Sequence, residues 1–106
     1  MPAADRQHDR REIALPIRVV LEQSALEGTS VDISVGGVRA LLPSDLPFGT
    51  KVKVHLRLPA VAEELAIEAE SRWSRAEAGG GFSVGLQFQR VRARETWALN
   101  QLMRGR

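Results

Sequence analysis

Two short segments hold the residues whose types and spacing could do chemistry. The first is Arg6-Gln7-His8-Asp9-Arg10-Arg11, near the amino terminus; the second is Asp32-Ile33-Ser34-Val35-Gly36-Gly37. A guanidinium never loses its charge, and its planar fork fits a phosphate or the acceptor edge of guanine. The Asp32 carboxylate offers acceptors only, and the Ser34 hydroxyl can donate. Gly36 and Gly37 have no Cβ to obstruct a ligand, and their N–H groups can help to cradle it. Each segment by itself also has a plain explanation. The arginines could be a solvated charge cluster, and Asp-x-Ser could cap an Asx-type turn.

No other grouping competes with these two. His8 lies near the terminus and His55 on the polar face of a strand, and neither has a partner that the sequence nominates for nucleophilic catalysis. Two histidines and no cysteine make a poor zinc set. Glu63, Glu64, Glu68 and Glu70 read as a solvated acidic stretch. Gly79-Gly80-Gly81 reads as a hairpin turn, because no lysine and helix follow it as a phosphate loop requires. The expectation is therefore a non-enzyme with no metal and no cofactor.

The elements that must position these residues follow from hydrophobic periodicity. Leu15, Ile17, Val19 and Leu21 alternate with polar or imino positions, with Pro16 near the strand's start. Val31 and Ile33 form a second strand, and Val38, Ala40 and Leu42 a third. The Gly36-Gly37 turn between them is expected to need at least one positive φ. Pro43 to Gly49 is a loop. Val52, Val54, Leu56 and Leu58 make a fourth strand, and Leu65, Ile67, Ala69, Ser71 and Trp73 share one face of a fifth. Phe82, Val84, Leu86 and Phe88 make the sixth, with Gly85 marking a bulge or a close approach. From about residue 92 to 104 the period lengthens, and Trp97, Ala98, Leu99, Leu102 and Met103 form a helical stripe. Trp97, Leu99 and Met103 are expected to close the barrel end.

The fold class expected is mainly β: a six-stranded antiparallel split β-barrel, with a flexible N-terminal arm over residues 1–12 and a C-terminal α-helix within a domain spanning 13–106. A chain of 106 residues has room for one core. Without cysteine, a secretory-type start or a long apolar run, it reads as cytoplasmic, with no membrane span. The net charge is only +2, but of the 15 basic residues only Lys51 and Lys53 are not arginine. The charge is dipolar, with arginines gathered after residue 90 and glutamates between 63 and 70. A single-stranded nucleic-acid-binding barrel is disfavoured: tyrosine is absent, and most of the three Phe and two Trp stand at core-phase positions.

Taken together, the two segments and the strand pattern resemble the PilZ domain family. Arg6 and Arg10 fill its RxxxR motif, and Asp32, Ser34 and Gly37 its (D/N)xSxxG motif. Leu15 to Val19 is similar to its first strand, and Trp73 with Val84 to Phe88 to its closing strands. The resemblance implies a receptor for the bacterial second messenger cyclic di-GMP. Arg6, Arg10, Arg11, Asp32, Ser34, Gly36 and Gly37 would form the ligand site. Asp32 would accept from guanine N1–H and N2–H₂, a pair that adenine lacks. The ligand would order the arm and so relay a signal to a partner protein. Asp5 stands where the family's arginine favours an intercalated ligand dimer, which implies one ligand per site. The family's outputs include motility, surface polysaccharide, biofilm and virulence. The alternative on the same fold is a protein-interaction adaptor with little nucleotide affinity.

Overall fold

Alternation along the chain resolves into seven strands and one helix in the computed structural model, which describes residues 10–59 and 61–104. They are β1 (Arg11–Glu12), β2 (Pro16–Val20), β3 (Ala25–Ile33), β4 (Gly37–Leu42), β5 (Lys51–Leu56), β6 (Leu65–Ala76), β7 (Phe82–Arg90) and α1 (Ala93–Arg104). All pairings are antiparallel, in the order β1-β3-β2-β5-β6-β7-β4, and a further β3–β4 pairing closes the sheet. Six strands thus make the barrel, and β1 is an extra strand. Closure leaves few unpaired edges, which suits a small all-β chain.

β1 and β2 follow one another along the same edge of β3. At residues 32 and 33 β3 has β1 on one side and β4 on the other, and at Thr29 it has β2 and β4. Between them the Ile13 N–H donates to the Val31 carbonyl and the Ser30 N–H to the Leu15 carbonyl, a link reinforced by the Ser30 hydroxyl. That hydroxyl accepts from the Leu15 N–H at 2.9 Å and donates to the Ile13 carbonyl. Arg11 and Glu12, which fall in the expected arm, are therefore paired residues of a strand. Residues 1–9 of that arm lie outside the described residues.

Most inward positions expected from alternation are the core. Leu15, Leu21 and Phe82 are only partly buried, whereas Ile17, Val19, Val38, Ala40, Leu42, Val52, Val54, Leu56, Ile67, Ala69, Val84 and Leu86 are buried. Each large aliphatic among them contributes about 1.5–3 kcal/mol by leaving water. From α1, Ala98, Leu99 and Leu102 join the same core. Trp97 is exposed, contrary to the expectation that it closes the barrel end. The helix starts on a capping interaction in which the Arg92 N–H donates to Glu95 Oε1 at 2.9 Å. This accounts for the burial of Glu95. Arg94, also in the first turn, pairs with Glu63, so part of the acidic stretch meets the basic C-terminal region directly.

Three register shifts depart from simple alternation; one of them leaves Gln89 of β7 extra opposite Glu68 and Ala69 of β6. In β3 the register against β4 shifts between Ser30 and Asp32, leaving Val31 as the extra residue. In β6 it shifts against β7 between Ser71 and Trp73, leaving Arg72 extra. An inserted residue moves everything after it to the opposite face. Trp73 therefore does not share the buried face of Leu65, Ile67, Ala69 and Ser71 but is 40% exposed. Likewise Val31 and Ile33 do not share a face: Ile33 is fully buried and Val31 only partly.

Candidate functional site

The β3 bulge decides where the key carboxylate points. Ser30 faces Ala40 in the core, so without the extra residue Asp32 would face inward as well. With it, Asp32 lies directly opposite Arg39 on the outer face. Successive pairings then lay one row of residues across five strands: Glu12 (β1), Asp32 (β3), Arg39 (β4), Gly85 (β7) and Trp73 (β6). Directly opposed residues in such a row interact side by side.

Both oxygens of Asp32 are engaged. Arg10 Nη1 donates to Oδ1 at 2.7 Å, and Arg39 Nη2 donates to Oδ2 at 2.8 Å. The Asp32 side chain is only 6% exposed, while those of Arg10 and Arg39 are 59% and 37% exposed. A carboxylate this sheltered requires charge-assisted partners, and the two guanidiniums supply them.

The second motif closes around its own turn. The Ser34 hydroxyl accepts from the Gly36 N–H at 3.1 Å, and the Ser34 N–H donates to the Gly37 carbonyl at 2.9 Å. Neither Gly36 nor Gly37 adopts the positive φ expected of this turn; Gly49, Gly80 and Gly81 do so. Gly37 is needed for a different reason. A Cβ there would lie 2.3 Å from the Leu86 carbonyl oxygen, so a side chain would force β4 and β7 apart. At the other end of the row, a Cβ on Gly85 would lie 2.2 Å from Trp73 Nε1. The indole lies flat on the bare backbone of β7, and the Arg75 guanidinium sits 5.7 Å from its ring centre.

These residues line one cavity of about 890 Å³, bounded by Arg10, Asp32, Ser34, Gly36, Gly37, Arg39, Arg72, Trp73 and Gly85, with neighbouring residues of β4 and β7. That volume suits a nucleotide-sized ligand. Its charged lining is three arginines against one aspartate, so it attracts anions. Of the residues expected from sequence, Arg10, Asp32, Ser34, Gly36 and Gly37 meet here. Arg6 lies outside the described residues. Arg11 does not line the cavity; its Nη1 donates to the Leu102 carbonyl near the C-terminal end of α1 at 2.8 Å. Sequence reasoning missed Arg39, Arg72 and Trp73. Arg39 was legible as the first outward position of β4, between inward Val38 and Ala40. Arg72 and Trp73 were hidden by the bulge.

The family comparison agrees with this fold. The PilZ domain model matches residues 4–105. The chain belongs to the PilZ domain family. Solved structures share the PilZ fold at low identity. MotI/DgrA, an inhibitor of motility from Bacillus subtilis, is 23% identical with a TM-score of 0.79, over 93% of this chain and 50% of its own. Escherichia coli YcgR in complex with c-di-GMP is 18% identical with a TM-score of 0.77, over 92% and 44%. The K. pneumonia MrkH–c-di-GMP complex is 14% identical with a TM-score of 0.75, over 92% and 50%. The chain thus spans about half the length of each. A comparison with curated protein sequences finds no significant match. Among the described residues no helix is long and apolar enough to cross a membrane, and no cluster of three or more His, Cys, Asp or Glu could hold a metal ion.

Trp73 gives the PilZ cavity an optical probe. Gly85→Ala is expected to lift the indole off β7 and expose it. In a Trp97→Phe background this would be read as a red shift of Trp73 emission. Unchanged emission would mean that the ring does not rest on Gly85.

Proposed function

We propose that this chain is a receptor module for cyclic di-GMP that catalyses nothing and passes the binding event to a protein partner. The observation that carries the reading is the convergence of Arg10, from the amino-terminal segment, with Asp32, Ser34, Gly36 and Gly37 on one net-cationic cavity. The ligand carries two phosphodiesters and two guanines, so it needs fork donors for phosphate or guanine O6/N7 and an acceptor for N1–H and N2–H₂. Three arginines and Asp32 meet both needs. Membership of the PilZ family, and the c-di-GMP bound to YcgR and MrkH, support the same ligand.

Binding would draw Arg6 and Arg10 onto the ligand and order the amino-terminal segment over the cavity. The differential affinity of the two arrangements sets how far the population shifts. The surface formed in this way is what a partner would read.

Calorimetric titration of the purified chain tests the reading. Saturable binding of cyclic di-GMP is expected, with Arg10→Ala losing about tenfold in affinity, the worth of one charge-assisted hydrogen bond. Fold stability should hardly change, because the Arg10 side chain is mostly exposed. A second reading, an interaction adaptor with little nucleotide affinity, draws on the fact that both Asp32 oxygens already have partners. Absence of any binding heat would favour it.

A further inference from the structure

We infer that Arg39 is a positioning residue of the nucleotide site: it clamps the Asp32 carboxylate from β4, so that Arg10 is the partner given up to the ligand. The inference rests on the receptor reading above and adds a residue and a division of labour to it.

The two guanidiniums on Asp32 are not equivalent. Each makes one hydrogen bond to the carboxylate, but Arg10 lies just before β1 and is more than half exposed, whereas Arg39 is a residue of β4 and is 37% exposed. Arg39 stands in the middle of the cross-strand row, with Asp32 opposite it on β3 and Gly85 opposite it on β7. Its Nε is buried without a hydrogen-bond partner. A buried donor left unpaired is costly. The Asp32 carboxylate is the hydrogen-bond partner that the structure gives this guanidinium.

Charge gives the second argument. The residue opposite Asp32 on β1 is Glu12, which carries the same sign. Like charges directly opposed in a sheet repel. Were Arg10 to leave for a phosphate without Arg39 present, a sheltered carboxylate would face Glu12 with no fixed cation beside it. Arg39 removes that difficulty. Two bonds from arginine also leave Asp32 with lone pairs to spare, since a carboxylate has about four acceptor sites. The remaining sites are available to guanine N1–H and N2–H₂, and Arg39 fixes the direction in which they point.

A double-mutant cycle separates positioning from plain charge attraction. The full chain would be titrated with cyclic di-GMP and cyclic di-AMP as wild type, Arg39→Met, Arg39→Lys, Asp32→Ala and the Asp32→Ala/Arg39→Met double variant, each first checked for folding by thermal melt. Arg39→Met is expected to lose about tenfold in cyclic di-GMP affinity and most of the guanine preference. Arg39→Lys, which keeps one charged donor, should stay within about threefold of wild type. In the Asp32→Ala background Arg39→Met should cost nothing further. An equal loss in both backgrounds, or an equal loss for both nucleotides, would overturn the role assigned to Arg39. If Arg39→Met does not fold, Arg39→Gln takes its place in the cycle with the same outcomes. A wild-type chain that does not bind cyclic di-GMP would overturn the receptor reading and this inference together. Wild-type binding with an additive cycle would overturn this inference alone.

Discussion

Asp32→Ala is expected to lower affinity for cyclic di-GMP by about two orders of magnitude and to erase the preference over cyclic di-AMP. Two hydrogen bonds to a charged acceptor are worth about 3 kcal/mol, and each 1.4 kcal/mol is tenfold in affinity. The carboxylate is also the hub of the site. Removing it leaves the Arg39 side chain with no anion and Arg10 with no reason to lie against the barrel. Both losses fall on the face that lines the cavity, while the core residues of β3 and β4 are untouched. The variant should therefore stay folded, and parallel calorimetric titrations with the two nucleotides can be interpreted directly. Retained selectivity would show that Asp32 does not read the base.

A large effect on stability is expected from one methyl group at Gly37. Gly37→Ala should lower the unfolding free energy by about 3 kcal/mol and Tm by roughly 10–20 °C. Its Cβ would sit 2.3 Å from the Leu86 carbonyl oxygen, a backbone atom that cannot swing aside. Relief requires β4 and β7 to separate, and the floor of the cavity would move with them. The same substitution at Gly79 is the control. Nothing lies within 4 Å of a Cβ there, and its φ is not positive, so Gly79→Ala should leave stability within about 0.5 kcal/mol of the parent or raise it slightly. Thermal and urea unfolding of both variants would check the pair. Equal stabilities would mean that β4 and β7 do not approach so closely.

What the sequence by itself determined was everything with a local period or a local chemical identity. The inward rows of β2, β4, β5 and β7 were legible because a strand alternates with period two and its core face is apolar. Helix α1 was legible because its stripe lengthens to the helical period. Asp32, Ser34, Gly36 and Gly37 stood out as a contiguous motif, and Arg10 as half of a spaced pair. What only the tertiary structure decided was which residues meet. Arg39 joins Asp32 because β3 and β4 pair with one residue extra at Val31. Trp73 and Arg72 reach the cavity because β6 carries a second extra residue. A bulge is a property of two strands held together; Gly85 marked the place on β7 as a bulge or a close approach, but the sequences of β3 and β6 do not show that their own alternation will be broken. The same holds for Gly37, whose turn suggested a need for positive φ but whose lack of a Cβ serves a close contact with β7, a strand almost fifty residues away.

One anionic side chain on β3, turned outward by a single inserted residue, organises the cations beside it on the cavity wall. The physical reason is that a carboxylate shut off from water must be neutralised by whatever the neighbouring strands bring beside it, and pairing, which no linear reading contains, chose Arg39.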